Sequence, residues 1–138
     1  LLNHNLMLKI TRKVEYALIA MRYLQNEGRN RIVPVKEISA KYSIPRELLA
    51  KILQQLGKHS IVKSTQGPTG GYKITKKSNN IKMTNFFEIL EGPLGLMDCY
   101  FESNCEQLNN CNIRVPINRI NDNIRDMFNK LKLSDITN

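Results

Sequence analysis

The chain has 138 residues and a formal charge of +9, with 41% hydrophobic and 24% charged residues, a balance that suits one domain able to build its own core. No apolar run reaches the length of a bilayer crossing, so a membrane-spanning protein is not expected. The charge is uneven: residues 1–82 hold sixteen Lys/Arg against four acids, and residues 83–138 hold five against eight, which concentrates positive potential in one part, as nucleic-acid binding requires.

Leu1–Leu6 contains His4 and lacks the basic-then-apolar-then-small layout of a signal peptide, so it reads as an N-terminal extension. From Thr11 to about Gln25, Val14, Ala17, Leu18, Met21 and Leu24 recur at three-and-four spacing, which predicts a helix capped by Thr11 and stopped at Glu27-Gly28. Glu15 lies in its first turns, free to face something other than this subunit's core. Val35, Ile38 and Ala40 form a second periodic segment, broken at Ser43-Ile44-Pro45 because the residue before proline avoids helical angles. Pro45 suits a first helical turn, and Leu48, Leu49, Ile52, Leu53 and Leu56 form the stripe of a third helix ending near Gly57. Two short helices joined by a tight turn are the pattern of a helix-turn-helix.

Ile61–Thr65 and Tyr72–Thr75 have strand composition around the tip Gln66-Gly67-Pro68-Thr69-Gly70-Gly71, which predicts a β-hairpin wing. Met83–Glu91 reads as another helix, with Phe86, Ile89 and Leu90 inward and a stop at Gly92-Pro93. A cysteine-bearing loop follows. Ile113, Ile117, Ile120, Ile124, Met127 and Leu131 then step by four, three, four, three and four, the spacing of a seam between helices. The expected fold is mainly α with a small β-hairpin: a winged helix-turn-helix plus a long C-terminal dimerisation helix. Its divisions are an extension at 1–6, the DNA-binding domain at 7–82, a short helix and cysteine loop at 83–112, and the dimerisation helix and tail at 113–138.

A recognition helix enters the major groove with its N-terminal half. Arg46, Glu47, Ala50 and Lys51 occupy that half: Arg46 for a guanine edge or phosphate, Glu47 for cytosine or for orienting Arg46, Ala50 for a thymine methyl. Around the wing, Thr65, Gln66, Thr69 and Lys73 suit a minor groove or its phosphates, with Gly67, Gly70 and Gly71 letting the backbone approach. Nucleotide binding is not expected of this tip, which lacks a following helix and a Gly-Lys-Ser/Thr ending. An enzyme is not expected either, since no nucleophile elbow, phosphate loop or paired His-Glu metal motif is present.

Cys99, Cys105 and Cys111 are separated by five residues each. Three cysteines in one short window do not resemble a disulfide framework and point to a reducing cytoplasm. Close thiolates favour an iron–sulfur cluster and leave one coordination position to fill. Structural zinc more often takes cysteines two to four residues apart, and free thiols are the plainer alternative. His4, in a tail, and His59, in the turn before the wing, have little specificity as ligands.

The stretch Leu8-Lys9-Ile10-Thr11-Arg12-Lys13-Val14-Glu15-Tyr16-Ala17-Leu18, the helix-turn-helix through Ile52-Leu53, the wing Gly67-Pro68-Thr69-Gly70-Gly71-Tyr72 and the cysteine trio together resemble the IscR/NsrR (Rrf-two) family of bacterial regulators over about residues 7–133. The resemblance implies a homodimer on an inverted-repeat operator of double-stranded DNA, with the wing in the minor groove and the C-terminal helices crossing between subunits. It also implies an iron–sulfur cluster, 2Fe-2S or 4Fe-4S, on Cys99, Cys105 and Cys111, answering to nitric oxide, redox or iron–sulfur status.

Two positions depart from the pattern. Many relatives carry Arg or Lys where Gln66 stands. Where similar regulators of cluster assembly place a ligating His three positions after the last cysteine, this chain has Arg114, which cannot ligate metal. In similar nitric-oxide sensors a carboxylate from helix one of the other subunit serves, and the matching residue is Glu15; Asp98, Glu102, Glu106, a small thiol or water are substitutes. A cluster-free winged-helix regulator sensing by thiol oxidation and a zinc-binding version remain as alternatives.

Overall fold

The computed structural model describes residues 9–97, 105–107 and 109–137. The N-terminal extension, Cys99, Asp98 and Glu102 lie outside these residues. Helix α1 (Arg12–Glu27) begins as its sequence predicts, because Thr11 Oγ1 accepts the Val14 N–H at 3.3 Å and satisfies a donor that the first helical turn leaves open. The same hydroxyl donates to Glu91 Oε1 at 2.9 Å, which ties the start of α1 to a distant element. Val14, Ala17, Ala20, Met21 and Leu24 are buried along one side.

Helix α2 (Val35–Tyr42) and helix α3 (Arg46–Lys58) meet at a turn in which Ser43 takes a left-handed φ of 53°. Ser39 Oγ donates to the Ile44 carbonyl at 2.6 Å and holds that turn closed. The α2 stripe differs from the expected one at its end: Ala40 is exposed, and the turn instead rotates Ile44 into the core. Helix α3 buries Leu49, Ile52, Leu53 and Leu56, as the periodicity implies.

Strands β1 (Val62–Thr65) and β2 (Gly71–Ile74) pair antiparallel, from Val62 opposite Ile74 to Thr65 opposite Gly71. The second edge of β2 is covered, since Val33 and Tyr72 exchange two N–H to carbonyl bonds at 2.8 Å. That approach is close enough to require glycine at position 71, where a Cβ would sit 2.2 Å from the Val33 carbonyl oxygen.

A short 3-10 turn (Lys76–Asn80) leads into helix α4 (Met83–Glu91), which ends at Gly92. Phe86 and Leu90 are buried there and Ile89 is half-buried. Helix α5 (Arg114–Asn129) packs against α4 through the edge-to-face pair Phe87 and Phe128, with centroids 5.1 Å apart, and through the Arg125–Glu88 ion pair at 2.8 Å. The chain then turns back. The Leu131 carbonyl accepts from Met83 N at 2.9 Å and Leu133 N donates to Ile81 O at 2.8 Å, delivering helix α6 (Leu133–Thr137) to the reading head.

Leu133 is 1% exposed and belongs to the same hydrophobic core as Val14, Ile52 and Phe86. The apolar row therefore ends earlier than its spacing suggests, because Leu131 lies beyond α5 and packs against this chain's own core. Among the described residues, no helix is long and apolar enough to cross a membrane.

Candidate nucleic-acid interface and cysteine site

Burying Leu49, Ile52, Leu53 and Leu56 fixes the rotation of α3, so Arg46, Glu47 and Lys51 stand exposed and Ala50 partly exposed at its N-terminal half. The structure adds Gln54, which the sequence reading did not include. It is exposed three residues after Lys51 and four after Ala50, hence on their face of the helix.

The wing carries Thr65, Gln66, Gly67 and Thr69 exposed, with Gly70, Gly71 and Lys73 partly so. Gly67 has φ +104°, a backbone angle that side chains disfavour. Lys63 is a second residue the sequence reading missed: it is exposed and paired with Lys73 across the ribbon. Directly opposed strand residues project to the same face, so the hairpin presents two ammonium groups together. Strand alternation from the buried Val62 was the signal that could have found it.

The helix-turn-helix is braced from behind. Arg31 Nη1 and Nη2 donate to the two Glu37 oxygens at 3.0 and 2.6 Å, and Tyr23 Oη donates to Glu37 as well. The Arg31 guanidinium and then the Tyr23 hydroxyl hold the Glu37 carboxyl down to about 2, against an ordinary value of 4.5. The Lys41 ammonium lies 5.0 Å from the Tyr23 ring centroid, and Tyr23 meets Tyr42 edge-on at 5.8 Å. These contacts lock α2, and through its turn α3, to α1.

Cys105 is exposed and Cys111 partly exposed, both as free thiols. Glu15 stands on the outside of α1 in a loose ion pair with Arg12 at 3.6 Å. Among the described residues, no three His, Cys, Asp or Glu gather as a metal site, so Glu15, Cys105 and Cys111 are not brought into one group within the protomer. Glu106 is exposed beside Cys105. Arg114 opens α5 three residues after Cys111.

Helix α5 is inverted relative to an ordinary surface helix. Its one fully buried residue is Asn121, while Ile113, Ile120 and Met127 are 52%, 48% and 52% exposed and Ile117 and Ile124 half-buried. The polar side is anchored to the segment leading toward the cysteines: Asn121 Oδ1 accepts from Leu96 N at 2.7 Å and Arg125 Nη1 donates to Leu94 O at 2.9 Å.

The sequence profile of Rrf2, described as an iron-dependent transcriptional regulator, matches residues 10–138. The chain belongs to the Rrf2 family. This Rrf2 protein is 31% identical over 128 residues to an HTH-type transcriptional regulator of Aquifex aeolicus (strain VF5), covering 91% of this chain and 88% of that protein. To NsrR of Bacillus licheniformis it is 25% identical over 131 residues, covering 94% and 92%. Its fold is that of CymR, the global cysteine regulator of B. subtilis, with TM-score 0.71 at 24% identity over 94% of this chain and 96% of that one. T. potens IscR shares the fold too, with TM-score 0.67 at 22% identity, covering 94% and 85%. As a member of Rrf2, the chain is a DNA-binding transcription regulator and not an enzyme.

Proposed function

We propose that this Rrf2 protein is a homodimer that represses genes at inverted-repeat operators, with its hold on DNA controlled by an iron–sulfur cluster on Cys99, Cys105 and Cys111. Glu15 of the partner subunit completes the ligand set. Arg46, Glu47, Ala50 and Lys51 read base edges and phosphates in the major groove. Thr65, Gln66, Gly67, Thr69, Gly70, Gly71 and Lys73 follow the minor groove and its phosphates.

The observation that carries this reading is the inversion of α5. An apolar row in which Ile113, Ile120 and Met127 are exposed and Ile117 and Ile124 half-buried is what a subunit seam needs, since burying it against a second copy removes that surface from water. A neighbouring, polar side of the helix is bonded to Leu94 and Leu96, just before the cysteine segment. Asn121 and Arg125 thus couple any rearrangement of that segment to the helix that sets the spacing of two reading heads.

The donor set suits the group. Cys105 and Cys111 are accessible, unpaired thiols of the soft type that iron–sulfur centres take, and the family profile is described as iron-dependent. Arg114 Nε and Asn121 Nδ2 are buried N–H donors without partners, on the helix that follows Cys111, and are of the kind that can bond to an anionic sulfur group. When bound, the cluster supplies a centre that reacts with nitric oxide or oxygen and is lost when iron is scarce. Glu15 is exposed on α1 and only loosely paired with Arg12, which supports a role for its carboxylate outside its own protomer.

A second reading is a cluster-free regulator in which the thiols are themselves oxidised. The exposure of Cys105 favours it. Anaerobic purification separates the two: visible absorbance with iron and sulfide in fixed ratio to protein, lost in Cys105→Ser and Cys111→Ser, supports the cluster. Colourless protein that refuses iron and sulfide under strict exclusion of air, yet changes DNA affinity on thiol oxidation, establishes the second reading instead.

A further inference from the structure

Arg114, Asn118, Asn121 and Arg125 recur along α5 at steps of four, three and four, and so share one side of the helix. Each follows a seam residue by one position, about 100° of rotation around the axis. This polar side is bounded by Cys111 three residues before Arg114 and by the bonds of Asn121 and Arg125 to Leu96 and Leu94.

Three of its atoms are buried without a hydrogen-bond partner: Arg114 Nε, Asn118 Oδ1 and Asn121 Nδ2. Such atoms are rare in folded proteins because each forfeits its bonds to water and gains nothing in return. The orientation of Asn121, 1% exposed, is fixed by its neighbour: Leu96 N is a donor, so the amide oxygen must face it and Nδ2 is left over. Two of the three are N–H donors, one on a cation, and suit an acceptor bearing negative charge, while the third, Asn118 Oδ1, is itself an acceptor one helical turn from Arg114.

We propose that Arg114 Nε–H and Asn121 Nδ2–H donate hydrogen bonds to the sulfur atoms of an iron–sulfur cluster lying against α5, holding it in place and raising its reduction potential. The inference rests on the cluster reading above. N–H to sulfur bonds draw electron density from the sulfurs and favour the more negative, reduced form, and the Arg114 charge acts in the same sense. Arg114, which cannot ligate iron, thereby gains a role at the position where similar regulators of cluster assembly place a ligand.

The test compares full-length wild type with Arg114→Met, which removes the donor and its charge, and Asn121→Asp, which keeps an acceptor for Leu96 N and removes the N–H. Each is reconstituted anaerobically with iron and sulfide. Iron release to a ferrous chelator and the midpoint potential from a dye titration are read, with melting of the cluster-free proteins as a control on folding. Both variants should release iron about tenfold faster than wild type and show lower potentials. Release rates and potentials equal to wild type in folded variants would overturn the inference while leaving the cluster reading intact. Should Asn121→Asp fail to fold, Arg114→Met alone decides. A wild type that takes up no iron defeats the cluster reading, and this inference with it.

Discussion

Lys63 and Lys73 stand opposite each other across the two-stranded wing, the only cross-strand pair of like charges in its register. Two ammonium groups so placed oppose hairpin formation, and the arrangement becomes favourable when a phosphate backbone lies against that face. Lys63→Gln is therefore expected to weaken binding to specific and unrelated duplexes alike by several-fold. The slope of log affinity against log salt should fall by about one, as for one lost phosphate contact. Anisotropy titrations over a salt series check both.

The brace behind the reading head predicts a pH response. Glu37 is held down to about 2 by Arg31 and Tyr23, against 4.5 when unperturbed. Between these values the unfolded chain takes up a proton that the folded chain refuses, so stability is complete above about 4.5 and is lost as pH falls toward 2. Glu37→Gln should flatten that part of the melting-temperature profile and leave the region above pH 5 lower but parallel. The carboxylate is about one-third exposed, so solvent screening keeps the effect small.

The exposed row on α5 predicts that Ile120→Asp converts the dimer to a monomer. Ile120 is 48% exposed and is not one of the buried core residues, so the helix content should be kept while the sedimenting mass halves. Affinity for a two-half-site duplex should fall at least tenfold, since the two heads no longer bind as one unit. An unchanged dimer would place the subunit contact elsewhere.

Helix α6 supplies a test of packing. Leu133→Ala removes a fully buried side chain where α6 packs on α1 and the 3-10 turn, and should cost about 2–5 kcal/mol of stability. Urea unfolding measures it. A loss below about 1 kcal/mol would mean that α6 is not held as described.

The helices that carry strong apolar periodicity were legible from residues alone: Val14 to Leu24 on α1 and Leu49 to Leu56 on α3 follow the 3.6-residue repeat that burial enforces. Capping was legible too, because Thr11 is followed by a hydrophobic stripe. Helix α6 was not, since Leu133-Ser134-Asp135-Ile136-Thr137 is one turn long and owes its place to backbone bonds with residues some fifty positions earlier. Leu131 was assigned to the seam because spacing cannot tell a helix that continues from one that ends at Asn129.

At the site, the exposed face of α3 followed from its buried one. Lys63 was missed for want of register, and the Asn121 bond to Leu96 because it joins residues 25 apart through a side chain that composition marks only as polar. Asn118 and Arg114 read as ordinary helix-surface residues until the burial of their polar atoms was seen.

The central claim is that occupancy of the cysteine site changes the grip of the reading head. One anaerobic preparation, titrated onto a duplex carrying the operator before and after its iron is removed by chelator, tests it directly. At least a tenfold difference in affinity is predicted, abolished in Cys111→Ser. Equal affinities in the two states would contradict the account.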